Sequence, residues 1–177
     1  MSRYRRSPAS RPPLDQAALE RLALHYVGRY ATTQAKLAAY LRRKLAERGA
    51  DGRTDPQAIV QRIAALGYVD DAAFAEARAA SLSRRGYGPR RIGDALRASG
   101  IGEEDRADAA QIAEEGAEAS AITFARRRRL GPFASARAEG PVRQKALAAF
   151  ARAGHAPDLA RRIVDSEPGD LSIVNEA

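Results

Sequence analysis

A unit of about 50 residues occurs three times along the chain, and this repeat constrains the fold more than any single motif. In each unit a large apolar residue stands four positions before a glycine: Leu45 and Gly49, Leu96 and Gly100, Phe150 and Gly154. In two units the same segment opens with Gly-Pro, at 88–89 and 140–141. A unit of this size buries little core alone, so stacked units are expected to share their remaining faces. The repeat predicts an all-α protein of three tandem three-helix repeat modules forming an elongated, curved molecule.

The composition supports helix throughout. Alanine, leucine, arginine and glutamate dominate, aromatics are only 6% and tryptophan is absent. These abundant residues favour helices, and no stretch alternates apolar with polar residues as a half-buried strand would. We therefore expect little or no sheet.

The repeat and the terminal compositions set the predicted domain boundaries. The modules are 15–66, 67–117 and 118–166, flanked by a disordered basic tail at 1–14 and a flexible tail at 167–177. The first tail combines arginines with serine and proline and has no acidic residue before Asp15, a composition typical of disorder.

Helical periodicity predicts the buried faces of the outer modules. Thr32 or Thr33 caps the second helix, Asp55-Pro56 opens the third, and Gly116 marks a kink or short break between the sixth and seventh. The residues predicted to face inward are Leu19, Leu22, Tyr26, Tyr30, Leu37, Leu41, Leu45, Ile59, Ile63, Leu66, Val142, Ala146, Leu147, Phe150, Leu159, Ile163 and Val164.

The central module contains the most distinctive stretch, from Leu66 to Ile101. Asp70 is a natural N-cap, because its carboxylate can accept the free N–H groups of the first turn, and Asp71 places negative charge where the helix dipole favours it. Phe74, Ala77 and Ser81 are predicted to share one face of that helix.

A glycine-proline turn then separates this helix from the next. Gly86 and Gly88 end the first, and Pro89 opens the second at its first position, where the missing N–H costs nothing. Ile92 and Leu96 face inward. Gly100 ends the second helix as a left-handed cap.

The residues indicate neither a catalytic centre nor a cofactor or metal site. Cysteine is absent, which excludes disulfides and thiolate chemistry. His25 and His155 are isolated, and a helical-face or cap role explains each better than catalysis. The Asp70-Asp71 pair is explained as a cap, and Gly86-x-Gly88 lacks the spacing and the preceding strand of a nucleotide-binding fingerprint.

Positive charge is the main functional signal. The formal charge is +8 and the pI about 10.4, which favours nucleic acid or another acidic surface as partner, although arginine used for solubility could account for the total. The basic residues cluster at comparable places in the three units. We predict partner or DNA contacts at Arg42, Arg43, Lys44, Arg84, Arg85, Arg90, Arg91, Arg97, Arg126, Arg127, Arg128, Arg129, Arg143 and Lys145. The acidic start of the sixth helix interrupts this stripe, so a surface matched to a protein or nucleoprotein is favoured over continuous tracking along DNA.

No window is apolar enough for a membrane span, and the basic N-terminus lacks the apolar run of a secretory signal. We expect a cytoplasmic monomer that makes no membrane contact.

The central stretch resembles the RecX family, regulators of the RecA recombinase. The resemblance rests on Leu66-x-x-Val-Asp-Asp-x-x-Phe-Ala and on Arg-Arg-Gly-Tyr-Gly-Pro-Arg-Arg-Ile-x-x-x-Leu-x-x-x-Gly-Ile, and extends over nearly all of 15–166. The chain departs from the pattern by His155, where the second unit has Ile101, and by an extra loop from Leu130 to Gly140.

The resemblance implies three-helix modules that lie in the groove of the RecA filament on single-stranded DNA. There the family limits the growth or activity of the filament and so regulates DNA repair and recombination, with no enzymatic activity and no cofactor. Direct contact with single-stranded DNA is compatible with this role. The alternative is a stand-alone helical DNA-binding protein.

Overall fold

The computed structural model describes residues 12–172, and these form α-helices joined by short connections. The helices are α1 (Gln16–Val27), α2 (Gln34–Arg48), α3 (Pro56–Ala65), α4 (Asp71–Arg84), α5 (Pro89–Arg97), α6 (Glu103–Glu115), α7 (Ala117–Arg128), α8 (Gly140–Ala153) and α9 (Pro157–Val164). A short 3-10 helix, Gly131–Phe133, lies within the predicted loop before α8. Between residues 12 and 172 the only β pairing is an isolated bridge between Leu14 and Ala50. The all-α prediction is confirmed.

Side-chain caps explain where the first three helices begin. The Asp15 carboxylate accepts from the Ala18 amide at 2.6 Å, and Thr33 Oγ1 accepts from the Lys36 amide at 3.2 Å. Thr33, not Thr32, is therefore the cap of α2. Asp55 accepts from two amides of α3, with Pro56 at the first helical position. Each cap satisfies amides that the helix itself leaves unpaired.

The buried side chains form three clusters. Unit 1 ends at Asp71 and contains the cluster from α1–α3, centred on Leu19, Leu37 and Ile59. Unit 2 begins at Ala72 and contains the other two, one with Ile92 and Leu96 and one around Phe150. Within unit 2, α6 and α7 are separated only by Gly116, where a break was predicted.

Several predicted inward positions are wrong. Leu66 is 65% exposed because α3 ends at Ala65 and leaves it in the following turn, and Val142 is 62% exposed in the first turn of α8. Tyr30 lies beyond the end of α1 and is 53% exposed. The spacing of apolar residues therefore does not predict burial in the end turns of a helix or beyond its ends.

The buried face of α4 also differs from the predicted one. Ala77 is exposed and Ser81 only half-buried, whereas Ala75, Ala79 and Leu82 are buried and Phe74 packs against them. Alanines occupy both faces of α4, so its apolar periodicity does not distinguish them.

Leu14, the last residue of the predicted basic tail, belongs to the folded part of the chain. Leu14 is fully buried, its amide donates to the Gly49 carbonyl at 2.9 Å, and its own carbonyl accepts from Asp51 at 2.9 Å. Arg48 also donates to the Pro12 carbonyl. The rest of the predicted tail, residues 1–11, lies outside the described residues, as do 173–177 at the other end.

Candidate functional site

The N-terminus of α5 packs against the C-terminus of α8 through two glycines of the repeat. The Gly88 amide donates to the Ala153 carbonyl at 2.9 Å, and the Arg90 amide donates to the Gly154 carbonyl at 3.2 Å. Gly154 has a φ of +91°, the left-handed conformation that glycine adopts readily. A Cβ on Gly88 would stand 2.5 Å from the Gly154 oxygen, so the approach requires glycine. We call this contact the α5–α8 joint.

His155 is buried at this joint, immediately after the glycine cap of α8. Its ring lies 5.5 Å from the ring of Phe124 and 5.4 Å from that of Phe150. Its Nε2 is 3.0 Å from the Gly86 carbonyl, and since a carbonyl only accepts, Nε2 carries the donated proton. Burial lowers the pKa of the imidazole below its ordinary value, against a smaller opposing effect of the bond to Gly86.

Two of the arginines predicted to contact a partner donate hydrogen bonds at or beside this joint. Arg90 donates to the Ala151 carbonyl of α8 at 2.6 Å, and Arg127 of α7 donates to the Arg85 carbonyl at 2.8 Å. These bonds connect the turn after α4 to α7, through Arg85, and the first turn of α5 to α8, through Arg90. Arg90 and Arg127 therefore contribute to the fold as well as to surface charge.

A surface groove of about 470 Å³ opens beside the joint. Its lining consists of four arginines, two aromatic rings and two alanines: Arg85, Arg127, Arg128, Arg152, Tyr87, Phe124, Ala149 and Ala153. We call it the arginine groove. Among the described residues no acidic side chain lines it, so every charged group at its wall is positive.

Two of these guanidinium groups lie over aromatic rings. The Arg85 guanidinium carbon lies 5.4 Å from the ring centroid of Tyr87, and that of Arg128 lies 5.8 Å from the centroid of Phe124. Both distances are within the range of cation–π attraction. The rings restrict the arginines without neutralising them, so their charge remains available to a ligand.

The other predicted basic residues are not part of this groove. In unit 1, Lys44 and Arg43 pair with Glu47 at 2.6 and 3.6 Å and lie near the Tyr40 ring, while Arg42 is exposed. In unit 2, Arg84, Arg91 and Lys145 are exposed, and Arg126 lies 5.1 Å from the Phe133 ring. Arg129 ends α7 with a φ of 55°.

Arg97 and Arg143 are engaged by acidic residues. Arg97 pairs with Asp94 one turn earlier on α5. Arg143 of α8 binds both carboxylate oxygens of Asp165, at 2.6 and 2.7 Å. This hydrogen bonding lowers the pKa of the Asp165 carboxyl and raises the pKa of Arg143. A bidentate pair of this kind fixes α8 to the segment after α9, so we assign Arg143 to the fold.

Five groove residues were not among the predicted contacts: Tyr87, Phe124, Arg152 and the two alanines, Ala149 and Ala153. Arg152 is the lone basic residue in the last turn of α8. The predicted contacts were chosen from clusters of basic residues, and Arg152 belongs to none of them. Its place in the groove depends on the approach of α8 to the α4–α5 turn, which no local pattern encodes.

The Asp70-Asp71 pair stands at the start of α4, as expected. Asp71 is buried and its Oδ1 accepts from the Gln34 amide at 2.9 Å. It therefore also satisfies an amide at the N-terminus of α2, a role that the dipole interpretation did not include.

Between residues 12 and 172, no three histidine, aspartate or glutamate side chains are grouped to hold a metal ion. The helices of the same region are too short or too polar to cross a membrane.

The fold and the groove define an all-α protein with a local basic groove. The model of "RecX, second three-helix domain" matches residues 70–109, which include α4 and α5. A regulatory protein RecX from Myxococcus xanthus is 34% identical over 178 residues, covering 92% of each chain. A regulatory protein RecX from Thermus thermophilus is 40% identical over 82 residues, which is 46% of this chain and 56% of that one.

A crystal structure of a regulatory protein RecX superposes with a TM-score of 0.66 at 24% identity, covering 85% of this chain and 73% of that one. At this identity the likeness shows the fold. The Myxococcus relative extends over nearly the whole chain. The chain belongs to the RecX family of regulatory proteins.

Proposed function

We propose that this protein binds the RecA recombinase filament on single-stranded DNA and inhibits its activity, thereby regulating DNA repair and recombination. The observation that carries the proposal is the 34% identity with a regulatory protein RecX over 92% of the chain. The basic residues exposed beside the α5–α8 joint supply a surface suited to an acidic nucleoprotein.

The proposal also covers the organisation of the chain. The three core clusters support a division into three-helix modules, and we propose that each module contributes basic residues to the filament contact. We propose further that the protein acts as a cytoplasmic monomer and that its regulation involves binding alone.

Single-strand-dependent ATP hydrolysis by the cognate recombinase tests this function. Adding the protein at stoichiometric ratios should lower the steady-state hydrolysis rate, because a bound regulator prevents subunits from joining or turning over in the filament. An unchanged rate, together with no co-sedimentation with the filament, would contradict the proposal.

Replacing Arg84 and Arg91 with glutamine tests the contact surface without disturbing the bonds of Arg90 and Arg127. Both side chains are exposed, so helicity should be unchanged while co-sedimentation with filaments weakens. The matched control replaces Arg53 and Arg78, two exposed arginines outside the predicted groups. Equal binding by the two double variants would show that the contact lies elsewhere.

A comparison of filament with bare single-stranded DNA separates the leading function from the alternative. A filament regulator binds the filament much more tightly than bare DNA. Equal affinity for both would favour a stand-alone helical DNA-binding protein.

A further inference from the structure

We propose that the arginine groove binds the phosphodiester backbone of a single-stranded nucleic acid directly. The inference deepens the proposed function and rests on it, since the filament is where the protein would meet such a strand. It assigns a ligand to one defined site, whereas the proposed function requires only that basic residues contact the filament.

The charge of the groove is concentrated and unneutralised. Its four arginines come from three separate segments: the end of α4, the end of α7 and the last turn of α8. None of the four is in an ion pair among the described residues, whereas Arg97 and Arg143 pair with Asp94 and Asp165. A guanidinium without a carboxylate partner offers its N–H groups to phosphate oxygens in bidentate geometry.

The fold holds this charge in place before any ligand binds. Arg127 is oriented by its bond to the Arg85 carbonyl, and Arg85 and Arg128 lie against aromatic rings. Arginines that are already restricted lose less side-chain entropy when they bind a ligand. The glycine contact of the α5–α8 joint brings the segments that carry them together.

The aromatic rings favour nucleic acid over an acidic protein segment. Grooves that bind single strands without sequence preference combine positive charge along the backbone with aromatic side chains that accept bases and stack with arginine. Tyr87 and Phe124 are both half-buried at the groove, so part of each ring borders the space where a strand would lie. A carboxylate ligand would need the arginines but gain nothing from the rings.

Fluorescence anisotropy of a labelled oligothymidylate, titrated with the full-length protein over a series of salt concentrations, tests the proposal. Each phosphate contact to a single strand contributes about 0.7 to the slope of log affinity against log salt. Replacing both Arg128 and Arg152 with glutamine should weaken binding and reduce the magnitude of that slope by about 1.4. Both side chains are exposed, and circular dichroism checks that the variant remains folded.

The matched control removes the same charge elsewhere, through Arg53→Gln and Arg78→Gln. If this control reduces the slope as much as the groove variant does, binding follows net charge and the proposal is wrong. Competition identifies the ligand class: unlabelled oligothymidylate should displace the probe, and poly-L-glutamate at equal charge concentration should not. Equal displacement by polyglutamate would overturn the proposal in favour of an acidic protein partner.

These measurements contain no recombinase, so they are independent of the ATP hydrolysis test. Loss of the salt-slope effect with intact inhibition of the recombinase would reject the groove's ligand and leave the proposed function. The reverse result would reject the proposed function and leave a strand-binding groove.

Discussion

His155 shows how a single side chain can make the stability of a joint depend on pH. Its Nε2–H donates to the Gly86 carbonyl, and its Nδ1 is buried without a hydrogen-bond partner among residues 12–172. Protonation would add a second N–H in a place without an acceptor, which is costly in a buried site. The folded protein therefore favours the neutral ring, consistent with its lowered pKa.

The sign of the resulting pH dependence follows from this lowered pKa. Above the ordinary histidine pKa of 6.5 the ring is neutral in both states, so stability is fully present. As the pH falls below 6.5, His155 becomes protonated in the unfolded chain before it does in the folded protein. The free energy of unfolding therefore decreases until the pH reaches the lower pKa of the folded state. Urea unfolding of the wild-type protein should show a midpoint that decreases over this window.

The comparison with His155→Gln isolates the histidine from carboxylates that titrate at lower pH. Glutamine keeps a donor for the Gly86 carbonyl and cannot ionise, so its unfolding midpoint should change less below pH 6.5 than that of the wild type. The same decrease in both proteins would show that His155 does not control the effect.

At the scale of elements, the α5–α8 joint depends on the absence of a side chain at Gly88. Its φ of −82° is accessible to alanine, so only the neighbouring backbone opposes substitution. A Cβ would stand 2.5 Å from the Gly154 carbonyl oxygen and 2.7 Å from the backbone nitrogen of His155. Overpacking of this kind typically costs about 1–3 kcal/mol, so Gly88→Ala should lower the free energy of unfolding by about that amount.

Gly102 provides the matched control for this substitution. It is also the N-cap glycine of a helix without a side-chain cap bond, and its φ is −61°. A Cβ there would meet only Asp105 Oδ2, at 3.7 Å. Chemical denaturation should therefore show Gly102→Ala within about 0.5 kcal/mol of the wild type, as expected for a surface substitution. A similar loss in both variants would mean that close approach does not explain the cost.

The helices were predictable from sequence because their signals are local. Asp15, Thr33 and Asp55 cap α1, α2 and α3 through amides two or three residues away. The buried face of α4 was not predictable, since its alanines make both sides equally apolar. The arginine groove was not predictable either, because it joins Arg85, Arg127 and Arg152 across long separations in sequence.

At the scale of the whole molecule, net charge is a poor guide to where binding occurs. Residues 72–177 contain 17 basic and 15 acidic side chains, a net charge of +2, whereas 1–71 contain 13 basic and 7 acidic, a net charge of +6. The arginine groove is nevertheless in unit 2, because eleven of the 15 acidic residues of 72–177 lie in α6 or in an ion pair, such as Asp94 with Arg97. Local arrangement, and not total charge, creates the positive surface.

Unit 2 contains every element of the groove, which leads to a prediction about the isolated unit. A fragment from Asp70 to Ala177 keeps all of α4 and both core clusters of unit 2. Circular dichroism should show a helical fragment with a cooperative thermal transition. Its affinity for oligothymidylate should be lower than that of the full chain, because the basic residues of 1–69 are missing.

The effect of Arg128→Gln with Arg152→Gln distinguishes a local groove from a surface spread over the chain. Since every groove residue that the structure describes lies after Asp70, the double substitution should reduce the salt slope by the same amount in the fragment and in the 177-residue chain. Energetically independent sites behave additively in this way. A much smaller reduction in the fragment would mean that residues before Asp70 are needed to form the site, and the groove would then not be a property of unit 2 alone.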